Sequence, residues 1–190
     1  RPVTAPDLSM HMLSGQRDFL MALWSLASYY HTSQAIGKLY FHSDGSLGEE
    51  EKKILARLYP SATFVDARET LTKYKEFFDA HPALEKFRRE YSKFQCKKLL
   101  DPYLASDRPI RLILDSDMLW FKNPTEIVDA VRAGLPRALM MSDGKDGFVY
   151  VTFKDGTKTS EKISSFNSGI TLYRKDQFDL ARFEAYLAQV

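Results

Sequence analysis

Strand-like and helical runs alternate along nearly the whole of this 190-residue chain. Short apolar or alternating runs indicate strands, and apolar residues that recur every three or four positions indicate helices. We predict strands at 8–13, 38–42, 62–66, 111–115, 138–141, 148–153 and 169–173. We predict helices at 18–31, from 46 onward, at 124–133 and at 180–190, and a helical region at 71–104 that is interrupted at 81–82. This alternation predicts one α/β domain, residues 1–190, with a mostly parallel central sheet flanked by helices.

The composition is that of a soluble globular protein, with 44% hydrophobic and 27% charged residues. The formal net charge of +2 is too small to indicate nucleic acid as the main partner. No apolar run approaches the roughly 18 residues of a transmembrane segment. Cys96 is the only cysteine, which favours a reducing compartment and predicts a cytoplasmic location. The chain starts at Arg1, so we expect it to be part of a longer protein, and its oligomeric state is left open.

Polar residues follow several predicted strands at the points where the strands end. Ligands of parallel sheets bind beyond the carboxyl ends of the strands, so these positions are candidates for a functional site. They are Ser14, His42, Asp44, Asp66, Asp115, Asp117, Ser142 and Asp143. His42 and Asp44 stand where the second predicted strand meets its loop, so a ligand at this edge would lie beside them, although Asp44-Gly45 is also an ordinary turn sequence.

Residues 112–121 (LILDSDMLWF) place two acids directly after the most apolar predicted strand. Strand alternation turns Asp115 and Asp117 to one side and Ser116 to the other. Two carboxylates on one side repel each other unless a cation lies close by. Mg²⁺ or Mn²⁺ suits that position, because each binds carboxylates together with substrate phosphates. We therefore predict a metal site at Asp115 and Asp117; the alternative is that one acid caps the next turn and the other is solvated.

Three segments, in this order, resemble GT-A-type glycosyltransferases, especially the group that contains glycogenin and bacterial sugar transferases. Residues 92–99 (SKFQCKKL) resemble the family's lysine-bearing helix, residues 115–117 (DSD) its metal-binding D-x-D motif, and residues 166–173 (FNSGITLY) its F-N-[SA]-G segment. Asp143 resembles an acid found between the last two. The early HMLSG, the FHSDGSL of residues 41–47 and the final DLARFEAYL are similar to bacterial members, so the resemblance covers nearly the whole chain.

This resemblance implies a Rossmann-like GT-A domain that binds a nucleoside-diphosphate sugar, with a UDP-sugar and retention of configuration favoured. It implies that Asp115 and Asp117 hold Mn²⁺ or Mg²⁺ and that Lys93 contacts the donor phosphates. The acceptor, whether glycan, lipid or protein, is not specified. The full set of candidates is Asn167 and Asp143 for catalysis, and Ser14, Asp44, Lys93, Asp115, Ser116 and Gly169 for donor binding.

Two departures from the family bear on activity. The family's third metal ligand, a histidine, and its acceptor-side D-Q pair lie further beyond the F-N-[SA]-G segment than the 21 residues that follow Gly169 here. Residues 147–165 are an insertion relative to glycogenin. We therefore expect this chain on its own to bind the donor but to transfer little sugar.

Other interpretations fit parts of the sequence. Haloacid-dehalogenase-like phosphohydrolases also place D-x-D after an apolar strand, but near the start of the domain, whereas 114 residues precede Asp115 here. A domain that binds a nucleotide sugar or a partner without turnover is the second alternative. Lys93 also fits a solvated helix position, and Asn167-Ser168-Gly169 also fits a simple turn.

The sequence also predicts core positions for three aromatic residues and the start of one helix. His11 is predicted to be a hydrogen-bonded core residue, because it lies in an apolar strand. Trp24 and Trp120 fall on apolar faces and are predicted to pack in the core. Ser46 and Glu49 have the spacing of a capping box and predict the start of the second helix there.

Overall fold

A six-stranded sheet forms the centre of the protein in the computed structural model, which describes residues 3–90, 94–142, 144, 146–163 and 166–190. Its strands are β1 (Val3–Ser14), β2 (Ala35–Ser43), β3 (Thr63–Asp66), β4 (Ile110–Leu114), β5 (Leu139–Ser142) and β8 (Phe166–Arg174). The remaining two, β6 (Gly147–Thr152) and β7 (Lys158–Ile163), form a separate hairpin.

The strand order of the sheet is β3-β2-β1-β4-β8-β5, and β1 to β4 pair in parallel. β8 is antiparallel to both of its neighbours, so β5 again runs in the same direction as β1 to β4. The carboxyl ends of five strands and the amino end of β8 therefore share one edge of the sheet. The predicted mostly parallel α/β architecture is confirmed.

Helices pack around this sheet in two groups. They are α1 (Phe19–Thr32), α2 (Glu49–Leu58), α3 (Thr70–Lys73), α4 (Lys75–Ala80), α5 (Pro82–Glu90), α6 (Phe94–Ala105), α7 (Thr125–Arg132) and α8 (Leu180–Leu187). The main core joins the sheet to α1, α2 and α7, and a smaller core around Phe78, Leu84 and Leu100 joins α4, α5, α6 and α8. None of the helices in the described residues is both long enough and apolar enough to cross a membrane.

The strand alternation of β1 separates an apolar face from a polar one. Leu8, Met10 and Met12 are buried in the main core, whereas Ser9 between them pairs with the fully buried Arg111 of β4. The Arg111 guanidinium donates to the carbonyl oxygens of residues near the end of α6, at 3.1 Å to Pro102 and 2.8 Å to Arg108. A helix end leaves such carbonyls without partners inside the helix, so the buried arginine stabilises the contact between α6 and the sheet.

Two buried histidines lie side by side on the polar face. His11 Nδ1 is 2.9 Å from His42 Nε2, and His11 Nε2 is 2.9 Å from the Ser9 hydroxyl. This confirms the predicted core position of His11. His42 is 1% exposed, and its Nδ1 has no hydrogen-bond partner among the described residues. Burial lowers the pKa of His11 well below its usual value and lowers the pKa of His42 to about 3, so both rings are neutral in the fold.

Stability is expected to fall as the pH drops from 7.5 to 5.5. The unfolded chain protonates both histidines near their usual pKa of about 6.5, whereas the folded protein does not. Their stabilising contribution is therefore complete above pH 6.5 and decreases toward pH 3, by about 1.4 kcal/mol per histidine at pH 5.5. Urea denaturation at both pH values measures it. His42→Phe should lose about half of the difference; a free energy of unfolding independent of pH would contradict the assignment.

The predicted capping box at Ser46 and Glu49 is wrong, because α2 begins later. Gly48 is the residue that precedes the helix, and its amide donates to the Glu51 carboxylate at 3.0 Å. The Ser46 hydroxyl instead donates to Asp44 Oδ1 at 2.6 Å. A side chain that closes its own turn cannot also cap a helix, and the sequence spacing alone does not distinguish the two arrangements.

The two tryptophans differ from each other in burial. Trp120 packs partly buried against the main core, with its ring centroid 5.2 Å from that of Tyr29, as predicted. Trp24 is 69% exposed, so its predicted core position is wrong. The helix α1 is apolar over much of its circumference, and its buried stripe is made by Phe19, Ala22 and Leu26 instead. Periodicity identifies a helix here but does not select the face that meets the sheet.

Residues 147–163 of the predicted insertion form a β-hairpin with its turn at Asp155-Gly156. The residue before this turn is fixed to the end of α8. The Lys154 amide donates to Gln189 O at 2.9 Å, and its ammonium donates to Ala188 O at 2.6 Å. The hairpin thus lies outside the main sheet while joining its strands β5 and β8 in sequence.

Candidate functional site

The shared edge of the sheet brings most of the predicted site residues together. Backbone pairing continues past the strand ends there, because Asp44 N donates to Ser14 O at 3.2 Å and Asp115 N donates to Gly169 O at 2.9 Å. Ser14 and Asp44 thus belong to the β1–β2 part of the edge, and Asp115 and Gly169 to the β4–β8 part. β1 and β4 are neighbours, so the two parts adjoin.

Asp115 is the first residue after β4, and its side chain is 29% exposed. Its carboxylate forms an ion pair with the Lys98 ammonium of α6. A Cβ on Gly169 would lie 3.4 Å from Asp115 Oδ2, and the Ser25 hydroxyl of α1 donates to the Asp115 backbone oxygen at 3.3 Å. The carboxylate therefore lies between α6 and β8 and is already paired with a cation, which a bound metal would have to displace.

Asp117 is exposed in the turn that follows Asp115. β4 ends at Leu114, so strand alternation does not reach Asp117. The prediction that alternation turns Asp115 and Asp117 to the same side is therefore wrong in its premise. Asp117 lines a mainly apolar pocket of about 380 Å³ with Met21, Trp24, Met118 and Leu119. Within the described ranges, no three His, Cys, Asp or Glu side chains are grouped to hold a metal. A metal at Asp115 and Asp117 stays a prediction, and it would need more oxygen ligands from phosphate or water.

β8 places Asn167 and Gly169 next to Asp115. Gly169 N donates to Asn167 Oδ1 at 2.7 Å, which fixes the orientation of that amide. A Cβ on Gly169 would lie 3.0 Å from both Asn167 Oδ1 and Met141 Cε, so a side chain there would displace at least one neighbour. The absence of a side chain lets β8 approach the Asp115 carboxylate closely. A contact of these two residues with the donor sugar stays a prediction.

Ser14 and Asp44 form hydrogen bonds within the loops at the β1–β2 part of the edge. Ser14 is fully buried, and its hydroxyl donates to Gly15 O at 3.3 Å; its contact with the donor stays a prediction. Asp44 Oδ1 accepts hydrogen bonds from the Ser46 amide and hydroxyl at 2.8 and 2.6 Å. Its carboxylate also packs so closely on Gly15 that a Cβ there would overlap it. Asp44 still lines a pocket, so its donor contact stays a prediction.

That pocket, which we name the basic pocket, measures about 380 Å³ and lies at the β2–β3 part of the edge. It is lined by Asp44, Ala67, Arg68, Leu71, Arg88, Arg89 and Lys97. Asp66 lies beneath it and accepts hydrogen bonds from Arg68 Nε at 3.0 Å and Nη2 at 2.6 Å. These bonds hold the pKa of Asp66 below its usual value. Three of its four cationic residues are paired with carboxylates, Arg68 with Asp66, Arg88 with Asp101 and Arg89 with Glu85. An anionic ligand in this pocket would therefore meet Lys97 and these three pairs rather than four free cations.

Sequence reasoning missed Arg68, Lys97 and Lys98 as site residues. Lys97 carried a usable signal, since it follows Lys93 by four positions, the spacing that puts two side chains on one face of a helix. No sequence pattern indicated Lys98, because its pairing with Asp115 depends on how α6 lies against β4. Ser116 is half-buried in the turn after β4. Lys93 and Asp143 lie outside the described residues, so their roles stay predictions.

Neither a family model nor a curated protein sequence matches this chain, but solved structures do. Mouse xyloside xylosyltransferase 1 in its apo form superposes with a TM-score of 0.58 at 16% identity, covering 97% of this chain and 71% of that one. The Mn/GDP form of core-mannan synthase A from Aspergillus fumigatus gives 0.53 at 8% identity, with 96% and 63% covered. The bifunctional glycosyltransferase WbbM gives 0.52 at 11% identity, with 97% and 34% covered.

Identities this low establish similarity of fold. The same fold occurs in 4-diphosphocytidyl-2C-methyl-D-erythritol synthase from Anaerococcus prevotii, with a TM-score of 0.50 at 8% identity. The glycosyltransferases among the matches superpose on nearly the whole of this chain. The chain therefore has a Rossmann-like GT-A fold, which it shares with these glycosyltransferases and with the synthase.

Proposed function

We propose that this chain binds a nucleoside-diphosphate sugar, with a UDP-sugar favoured, for metal-dependent glycosyl transfer. The placement of Asp115 carries the proposal. Its carboxylate stands at the carboxyl end of a central strand, is paired with Lys98, lies beside Gly169 of β8 and shares its sheet edge with the basic pocket. Matches to glycosyltransferases of the same fold support transfer as the reaction class.

Each part of the edge has a proposed task. Asp115 and Asp117 would hold Mn²⁺ or Mg²⁺, which when bound neutralises charge on the departing diphosphate. Arg68 and Lys97 of the basic pocket orient the anionic part of the nucleotide through charge-assisted hydrogen bonds. Asn167 and Asp143 act on the sugar, and we propose retention of its configuration. The acceptor is a glycan, a lipid or a protein, and a cytoplasmic location is part of the proposal.

UDP is expected to bind in the presence of Mn²⁺ and to bind at least about tenfold more weakly in EDTA, because the cation screens its phosphates from two carboxylates. Isothermal calorimetry measures both affinities. Uridine is the control that lacks phosphate and should show no dependence on the metal. CTP is the second control, because a protein named as a 4-diphosphocytidyl-2C-methyl-D-erythritol synthase shares the fold. Equal affinity for UDP with Mn²⁺ and with EDTA would contradict metal-mediated binding.

A binding domain without turnover is the second candidate, favoured by the lack of a three-residue metal cluster in the described parts of the chain. Release of UDP from a UDP-sugar with Mn²⁺ present distinguishes the two. Release above the protein-free background, even at the low rate expected of this chain, supports the transferase, whereas binding with no release at all supports the binding domain. A haloacid-dehalogenase-like phosphohydrolase is disfavoured, because the acidic pair follows the fourth strand along the chain rather than the first.

A further inference from the structure

Lys98 lies between the Asp115 carboxylate and an apolar cavity. Its side chain is 14% exposed, and its ammonium pairs with Asp115. The cavity, of about 280 Å³, lies between α6 and the strands β4, β5 and β8 and is lined by Lys98, Leu99, Ile113, Ala138, Met140, Ser168, Thr171, Tyr173, Gln177 and Phe178. None of these is acidic. An ammonium displaced from Asp115 therefore finds no counter-charge in the cavity, and moving there would cost free energy.

We propose that the Lys98 ammonium is a built-in substitute for the metal: it neutralises Asp115 in the free protein, yields that carboxylate to the divalent cation and then binds the donor phosphates. This inference rests on the proposed function. The lysine side chain is a flexible four-carbon stem, so its charged end can change partner while α6 stays in place. A largely buried charge that loses its partner is costly unless another anion replaces it. The diphosphate is the anion that arrives with the metal.

The exchange makes metal and nucleotide binding cooperative. Mn²⁺ alone has to displace the ammonium from Asp115 and leave it without a partner, so Lys98 weakens the binding of the metal by itself. UDP supplies the missing partner. Mn²⁺ therefore raises the affinity for UDP, and UDP raises the affinity for Mn²⁺ by the same factor. Lys98 is in this sense a positioning residue that makes the complete metal–nucleotide pair the preferred ligand.

Lys98→Met tests the exchange, because methionine keeps much of the apolar stem and removes the charge. Free Mn²⁺ is measured by electron paramagnetic resonance in titrations without nucleotide, and UDP binding by calorimetry at saturating Mn²⁺. The variant is expected to bind Mn²⁺ alone about tenfold more tightly and UDP with Mn²⁺ about tenfold more weakly. Changes of opposite sign are the diagnostic result, since a general loosening of the fold would weaken both.

Two controls accompany this variant. Lys53→Met removes an ammonium that is 70% exposed and paired with Glu50 on α2, and it should leave both affinities unchanged. Lys98→Arg keeps the charge and should not show the opposite-sign pattern. If the wild type binds Mn²⁺ and UDP but Lys98→Met weakens both or changes neither, the inference is wrong and the proposed function stands. If the wild type binds neither ligand, the proposed function fails and the inference fails with it.

Discussion

Arg88→Met is expected to lower the free energy of unfolding by about 3–5 kcal/mol, because it leaves a buried carboxylate without its partner. Arg88 Nε and Nη2 donate to the two Asp101 oxygens at 2.8 and 2.9 Å, and Nη2 also donates to Ala67 O at 3.0 Å. The two side chains are 5% and 0% exposed. Burial raises the pKa of Asp101, and the arginine opposes that effect. Urea denaturation at neutral pH measures the loss.

A neighbouring arginine provides the matched control. Arg89 is 60% exposed and pairs with Glu85 on the same helix, so Arg89→Met should cost less than about 1 kcal/mol. The double variant Arg88→Met, Asp101→Leu should recover much of the stability, since it removes both charges from the interior. A loss of less than about 1 kcal/mol in Arg88→Met itself would show that the pair is accessible to water rather than buried.

Asp115→Asn is expected to lower the Mn²⁺-dependent affinity for UDP by at least about a hundredfold, or about 2.7 kcal/mol. Replacing a residue that only supports a metal ligand weakens metal affinity by about ten- to a hundredfold. Asp115 is proposed as a ligand itself, so its replacement should have at least the larger effect. The asparagine keeps the shape of the side chain beside Gly169 while it removes the charge. Calorimetry with UDP at saturating Mn²⁺ measures the effect, and Asp117→Asn should behave in the same way.

Asp129→Asn is the control for these two variants. Asp129 is 73% exposed on α7 and lies 3.8 Å from the Arg132 guanidinium, so removing its charge should change UDP affinity little. Circular dichroism and thermal unfolding verify that each variant is folded before its affinity is interpreted. A folded Asp115→Asn protein that binds Mn²⁺ and UDP as well as the wild type does would exclude Asp115 as a metal ligand.

The sheet was predictable because its strands are short apolar runs bounded by turn residues. The prediction at 111–115 differs from β4 by one residue at each end, and the whole α/β layout follows from the alternation of runs. The burial of particular side chains was less predictable. Trp24 shows why: α1 has more apolar residues than one buried face can hold, so the periodic pattern alone does not indicate which of them remain in water.

The candidate site was predictable only in part. Its acids follow strands, and strand ends are where parallel sheets bind ligands, so Asp115 could be found from sequence. The common orientation of Asp115 and Asp117 could not, because it assumed that the strand continued past Leu114. The ion pair of Asp115 with Lys98 joins separate elements, and no local pattern records such a contact.

The position of β8 between β4 and β5 also determines when the site can exist during folding. β8 is the last strand along the chain, and until it inserts, β4 has an unpaired edge and β5 has no partner in the sheet. The pairing of β1 with β4, which includes Leu8 with Ile110, is already a slow, long-range step. Asp115 acquires its β8 neighbours only after that. In a ribosome-bound chain whose β8 has not yet emerged, β4 and β5 therefore lack their β8 partner. Open strand edges of this kind aggregate or recruit chaperones.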